Sequence, residues 1–119
     1  MKLSRVEIIT STSKIEKLKN SIARFGISGM TVFQAMGCGV QLGTKEYEAE
    51  QNEEPSLLPK EMVMLIVPTE RLNDFLEFVK KELYTGHIGD GKIFISEISN
   101  IVRVRTGEEG YDALISGKD

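Results

Sequence analysis

The strongest constraint on this chain is a pattern that occurs twice: a short apolar run, a helical stripe, and a second apolar run. The clearer copy is the later one. Glu61-Met62-Val63-Met64-Leu65-Ile66-Val67 suits a strand, and Pro68-Thr69-Glu70 suits a helix start with Thr69 as N-cap. Leu72, Phe75, Leu76, Val79 and Leu83 then fall at i, i+3, i+4, i+7 and i+11, which is one face of a helix. A run from Ile93 to Ile101 predicts the next strand, with Val102 to Arg105 extending it or opening a fifth. In the earlier copy Arg5–Thr10 predicts a strand, and Thr10 to Ser13 offers N-cap oxygens. Ile15, Leu18, Ile22 and Phe25 share a helical face, with Lys14, Lys17 and Lys19 mostly off it. Gly26 stands at the C′ position, and Met30 to Met36 predicts the second strand. Two β-α-β units in series predict an α+β, ferredoxin-like βαββαβ fold. Its four-stranded antiparallel sheet carries both helices on one face.

That arrangement leaves a sheet face without helices. In the third strand Val63, Leu65 and Val67 point one way and Met62, Met64 and Ile66 the other, so both faces are apolar. A chain of 119 residues suits one domain, 1–119, with nothing left to cover the second face. A homo-oligomer packed sheet against sheet is expected. The net charge of −3 comes from charges of both signs spread along the chain, not the basic stripe of a nucleic-acid binder. Cys38 is the single cysteine, so no internal disulfide is possible, and the apolar runs are far short of a bilayer span. The chain starts without an apolar signal region, and a cytoplasmic location is expected.

Between the two units, Gly37 to Lys60 keeps no stable period. It opens on Gly37, Gly39 and Gly43 and continues through Glu46, Glu48, Glu50, Glu53 and Glu54. Loops of this length inside a small domain are usually functional or disordered. The polar, glycine-containing stretch from Gly107 to Asp119 predicts a mobile tail.

The residues with most chemical content are Thr85-Gly-His-Ile-Gly-Asp-Gly-Lys-Ile-Phe94. Glycines allow backbone N–H groups to converge, and a lysine beside them makes an anion pocket. Gly86-x-x-x-x-Gly91-Lys92 copies most of a P-loop, but Ile93 stands where a Mg²⁺-binding hydroxyl is required and a strand follows instead of a helix. Arg103 and Arg105, two apart, would share one face of a strand about 6.6 Å apart and suit a polyphosphate; the plain alternative is a charged edge strand. With Lys92 they form one phosphate constellation. No catalytic set competes with it: His87 is the lone histidine, expected to be solvated, and Cys38 has no histidine near it in sequence and is expected to be a small packed residue.

Four segments in order resemble the PII signal-transduction family: Gly29-Met30-Thr31-Val32; Gly37-x-Gly39-x-Gln41-x-Gly43; Thr85-Gly86-x-x-Gly89-Asp90-Gly91-Lys92-Ile93-Phe94; and Arg103-x-Arg105-Thr106-Gly107-Glu108. The likeness spans nearly the whole chain. It implies a homotrimer that binds ATP or ADP in clefts between subunits. By that resemblance Gly89, Asp90, Gly91 and Lys92 wrap phosphates in a nucleotide loop at 85–92, and Arg103 and Arg105 pair with phosphates from the C-terminal loop and tail, 103–119. Ile9, Gly29, Met30, Thr31, Gly37, Cys38, Gly39, Val40, Gln41, Ile66 and Gly86 border the nucleotide. Gln41 matches the ligand of Mg²⁺ and 2-oxoglutarate, Lys60 the lysine that holds 2-oxoglutarate, and residues about 40–60 the T-loop that docks into target proteins.

Departures from the family pattern cluster at that loop. Val40 replaces an arginine, Leu42 a lysine, and Glu53 the tyrosine that is uridylylated, while Ser11 stands where a basic residue is common. Each lost charge-assisted hydrogen bond is worth about 1.5–3 kcal/mol, so 2-oxoglutarate binding should be weak and ADP is favoured relative to ATP. The expectation is a non-enzymatic, PII-like regulator of a transporter or metabolic enzyme, acting through its T-loop without uridylylation. The alternatives are an orthodox 2-oxoglutarate-sensing nitrogen regulator, a slow ATPase, and a structural trimer that binds no nucleotide.

Overall fold

The computed structural model describes residues 1–27, 29–39, 56–87 and 90–115. Strand β1, Leu3–Thr10, leads through a short 3-10 turn at Thr12–Lys14 into helix α1, Ile15–Phe25. Strand β2, Thr31–Gly39, is followed in the described chain by β3, Ser56–Pro68. A second 3-10 turn, Thr69–Arg71, leads into α2, Leu72–Leu83; β4 is Lys92–Ile98 and a short α3 is Tyr111–Ile115. The sheet order is β2-β3-β1-β4, and every neighbouring pair is antiparallel. This is the expected ferredoxin-like sheet.

Alternation decides the core. Val6 and Ile8 of β1 stand opposite Leu65 and Val63 of β3, and all four are buried. They meet Leu18 and Ile22 of α1 and Phe75, Val79 and Leu83 of α2. Phe25 packs edge-on to Phe75 with ring centroids 5.4 Å apart. The two helices are also clasped by a polar contact: the buried Ser21 Oγ donates to Glu82 Oε1 at 2.5 Å, and Arg24 Nη2 donates to Ser21 Oγ at 3.1 Å.

The other face of the sheet is apolar, and no described element of the chain covers it. Phe33 is 45 % exposed and Phe94 49 % exposed, beside half-buried Met62, Met64 and Ile66. The Arg5–Glu7 pair, 3.3 Å apart, interrupts it with charge.

Four expectations about the elements need correction. The glycine-punctuated segment is not aperiodic throughout, because β2 and β3 continue into it and pair Gly37 with Leu58 and Cys38 with Leu57. Ladder hydrogen bonds hold these residues extended whatever their side-chain pattern. Neither helix is capped by the hydroxyls chosen from sequence: Ser11 Oγ lies 3.2 Å from Ser13 Oγ, and Thr69 Oγ1 lies 2.7 Å from Ser4 Oγ. Strand β4 ends at Ile98, and Val102 makes one isolated bridge to Glu109 before a turn at 104–106. Gly107 to Ile115 is not a loose tail: Ala113 is buried and α3 is docked.

Candidate functional site

The loop between α2 and β4 is built around Asp90. Its Oδ2 accepts from the backbone N–H of Thr85 at 2.8 Å and of Gly86 at 3.0 Å. Its Oδ1 accepts from Thr85 Oγ1 and from Lys14 Nζ, the latter at 3.0 Å. Lys14 Nζ also donates to the Leu83 carbonyl at 3.0 Å, so one lysine ties the start of α1 to the end of α2 and to the loop. These donors, the Thr85 hydroxyl first, hold the Asp90 carboxyl well below the usual carboxylate range. Gly91 then passes so close to β1 that a Cβ would lie 2.2 Å from the Ile9 carbonyl oxygen, and its φ is +111°. A side chain there, in a strained backbone conformation, would have to displace the Ile9 carbonyl, which explains the last glycine of the loop.

This changes the reading of the loop. The N–H groups of Thr85 and Gly86 are spent on Asp90, and that of His87 on Thr85 Oγ1 at 3.2 Å. They form a scaffold that aims the exposed Gly91 and Lys92 outward. Lys14, assigned by periodicity only to the outside of a helix, is part of that scaffold. Its position at the end of the 3-10 turn faces across to residues 76 positions away, which no local pattern reveals.

The arginines are arranged differently from two prongs on one strand. Arg103 is 6 % exposed, and its Nη1 donates to Glu108 Oε1 at 2.7 Å. Its Nη2 donates to the Ala113 carbonyl, joining the loop to α3. Arg105 is exposed within the turn at 104–106. A tight turn closed by Arg103 N–H to Glu108 O at 2.9 Å, and Gly107 N–H to Arg103 O at 2.8 Å, replaces the strand.

The candidate residues therefore fall into two groups. Ile9 is the cross-strand partner of Lys92, and Gly86, Asp90, Gly91, Gly37, Cys38, Gly39 and Lys60 lie toward the same end of the sheet. Gly29, Met30, Thr31 and Ile66 lie toward the other end. Gly29 and Ile66 share a cavity of about 240 Å³ with Tyr111 and Leu114 of α3, the helix that Arg103 holds. Thr31 to Gly37 along β2, and Lys92 to Ile98 along β4, are each about 20 Å at roughly 3.3 Å per residue. Lys92 and Arg103 thus do not form one constellation within a single chain, as residue spacing suggested. Cys38 is exposed, not packed, and His87 is exposed as expected. Val40, Gln41, Glu53 and Gly89 lie outside the described residues.

The four-stranded sheet, with a lysine-ended glycine loop at one end and an arginine-bearing turn at the other, defines the class as a small ferredoxin-like α+β domain with cationic loops at opposite ends of its sheet. The family model described as nitrogen regulatory protein P-II matches residues 3–108. The chain is 35 % identical to a nitrogen regulatory protein P-II of Cyanidium caldarium, covering 93 % of this chain and 98 % of that one. It is 36 % identical to Escherichia coli nitrogen regulatory protein GlnK, covering 92 % and 97 %. The solved complex of B. subtilis GlnK with ATP superposes with a TM-score of 0.79 at 34 % identity, covering 95 % of this chain and 96 % of that one. Arabidopsis thaliana PII bound to citrate superposes with a TM-score of 0.75 at 28 % identity, covering 94 % and 92 %. The chain belongs to the nitrogen regulatory P-II family of signal-transduction proteins.

Proposed function

We propose that this chain acts as a homotrimeric, cytoplasmic nucleotide sensor, binding ATP or ADP where one end of its sheet meets the opposite end of a neighbour's. The observation that carries this is the separation of the two candidate groups. A phosphate chain held by Lys92 cannot also reach Arg105 of the same chain, some 20 Å or more away along the sheet. Association through the exposed Phe33 and Phe94 face would cover apolar surface and bring unlike ends together. The ATP complex of B. subtilis GlnK supports nucleotide as the ligand. In this reading Lys92 and Arg105 neutralise phosphates, and Gly91 lets the backbone approach. Asp90 and Lys14 hold the loop, and Arg103 positions the turn that bears Arg105.

Nucleotide state would then bias the T-loop, residues about 40–60, which reports to a target transporter or enzyme. A ligand shifts such a segment only by its differential affinity for the alternative conformations. We further infer a weak response to 2-oxoglutarate, because Ser11 supplies no charge and its hydroxyl is paired with Ser13. The chain is a regulator, not an enzyme.

Subunit mixing tests the cleft. Lys92→Ala and Arg105→Ala homotrimers should each lose at least tenfold in ATP and ADP affinity by calorimetry, for loss of a charge-assisted contact. Mixed trimers, refolded together, should regain sites of near wild-type affinity, because some clefts receive both intact halves. Absence of recovery, or full affinity in a monomeric form, would sink the intersubunit reading.

A further inference from the structure

On the helix-bearing side of the sheet, beside the start of α1, a cavity of about 320 Å³ has Thr12, Gln34, Met36, Pro59 and Glu61 in its lining. Glu61 gives it its chemistry. The register places Glu61 between Thr10 on β1 and Gln34 on β2, continuing the face that buries Val63 and Leu65. It is 7 % exposed, yet among the described residues its carboxylate has neither a hydrogen-bond donor nor a cation. The neighbouring groups are committed elsewhere. Lys14 Nζ is held by Asp90 and the Leu83 carbonyl, and the Thr10 hydroxyl is turned to the Asp90 carbonyl at 3.4 Å. Lys60 also borders the cavity, but its stem runs on the opposite face of the sheet, with Cγ 3.0 Å from where a Cβ on Gly37 would lie.

A buried carboxylate without a donor is unfavourable, and its surroundings select a ligand that brings both charge and N–H groups. We propose that this cavity binds a small alkylammonium. An ammonium has three donors, and the cavity has three acceptors to match: the Glu61 carboxylate, the Gln34 amide oxygen and the Thr12 hydroxyl. Met36 and Pro59 offer apolar surface to the alkyl stem. A metal ion fits less well, since among the described residues no three His, Cys, Asp or Glu side chains cluster closely enough to hold one. Neither Glu61, Gln34 nor Thr12 belongs to the residues proposed for nucleotide, so the two sites stand or fall separately.

The test is an NMR titration of the isotope-labelled full chain with n-butylammonium chloride, beside n-butanol and tetramethylammonium chloride at equal concentrations. Saturable shifts are expected at the amides of Thr12, Gln34, Met36 and Glu61 with butylammonium alone, and binding at least tenfold weaker in Glu61→Gln. Equal responses to butanol or tetramethylammonium, no saturation, or undiminished binding by Glu61→Gln would each overturn the proposal. The variant also has a second readout. Glu61→Gln keeps the side chain's shape and removes an unpaired buried charge, so it should melt at or above wild type. A lower melting temperature would mean that Glu61 has a partner in the folded protein, and the proposal would fall.

Discussion

Replacing Gly91 by alanine asks whether the nucleotide loop depends on the close passage of its backbone past β1. Two costs add. A side chain at φ +111° leaves the region natural to L-residues, at about 1–2 kcal/mol. Its Cβ would also lie 2.2 Å from the Ile9 carbonyl oxygen, a backbone atom that cannot swing aside as a side chain can. Ile9 and Lys92 are cross-strand partners, so relief must come from opening the end of the β1–β4 ladder, at about 0.5–1.5 kcal/mol for a lost hydrogen bond. Alanine also narrows the unfolded ensemble, returning about 0.4–1 kcal/mol. The net loss is about 2 kcal/mol, or about 8 °C at roughly 4 °C per kcal/mol for a domain of this size. Two other glycines separate the contributions. Gly107 has φ +77°, and no described atom comes within 4 Å of where its Cβ would lie, so Gly107→Ala carries the conformational cost alone and should lose about half as much. Gly29 has open space and no positive φ, so Gly29→Ala should be neutral or slightly stabilising. Melting curves at one fixed protein concentration, which keeps association constant, should rank Gly29→Ala highest and Gly91→Ala lowest. If Gly91→Ala melts with or above Gly107→Ala, the contact with Ile9 is not what requires the glycine.

Two further measurements address the scaffold around the site. The Asp90 carboxyl is depressed in the folded state, so its ionised form favours folding. That contribution is complete above the ordinary carboxylate range and is lost as pH falls through the lower folded value. The amides of Thr85 and Gly86 should accordingly lose hydrogen-exchange protection as pH falls below about 4, and Asp90→Asn should show weak protection throughout; pH-independent protection in wild type would refute the Asp90 clamp. Arg103→Ala should free α3 from the turn, costing about 1.5–3 kcal/mol for a buried charged donor. Limited proteolysis should cut that variant near residues 107–115, whereas Arg105→Ala should resist as wild type does.

The alternation of Val63, Leu65 and Val67 with Met62, Met64 and Ile66, and the stripe from Leu72 to Leu83, are local signals. Period 2 and period 3.6 are properties of the backbone, so they can be read before the chain is folded. From them followed the two β-α-β units, the helices on one face and the bare apolar face. The order of the four glycine- and arginine-bearing motifs sufficed to indicate the family. Other features were settled by groups far apart in the chain. Arg103 and Arg105 alternate as a strand would, yet a turn closes around Glu108 because the buried guanidinium finds both that carboxylate and the Ala113 carbonyl. Lys14 belongs to the loop 76 residues away because the start of α1 lies beside the end of α2 over the sheet. Glu61 resembles any residue at a strand edge until the fold encloses it without a donor. The sequence motifs nominated the candidate nucleotide residues together, but the division of the described ones between opposite ends of the sheet was not visible in them. Sequence spacing measures distance along the chain, whereas a binding site depends on distance through space, and only the register of β2, β3, β1 and β4 converts one into the other.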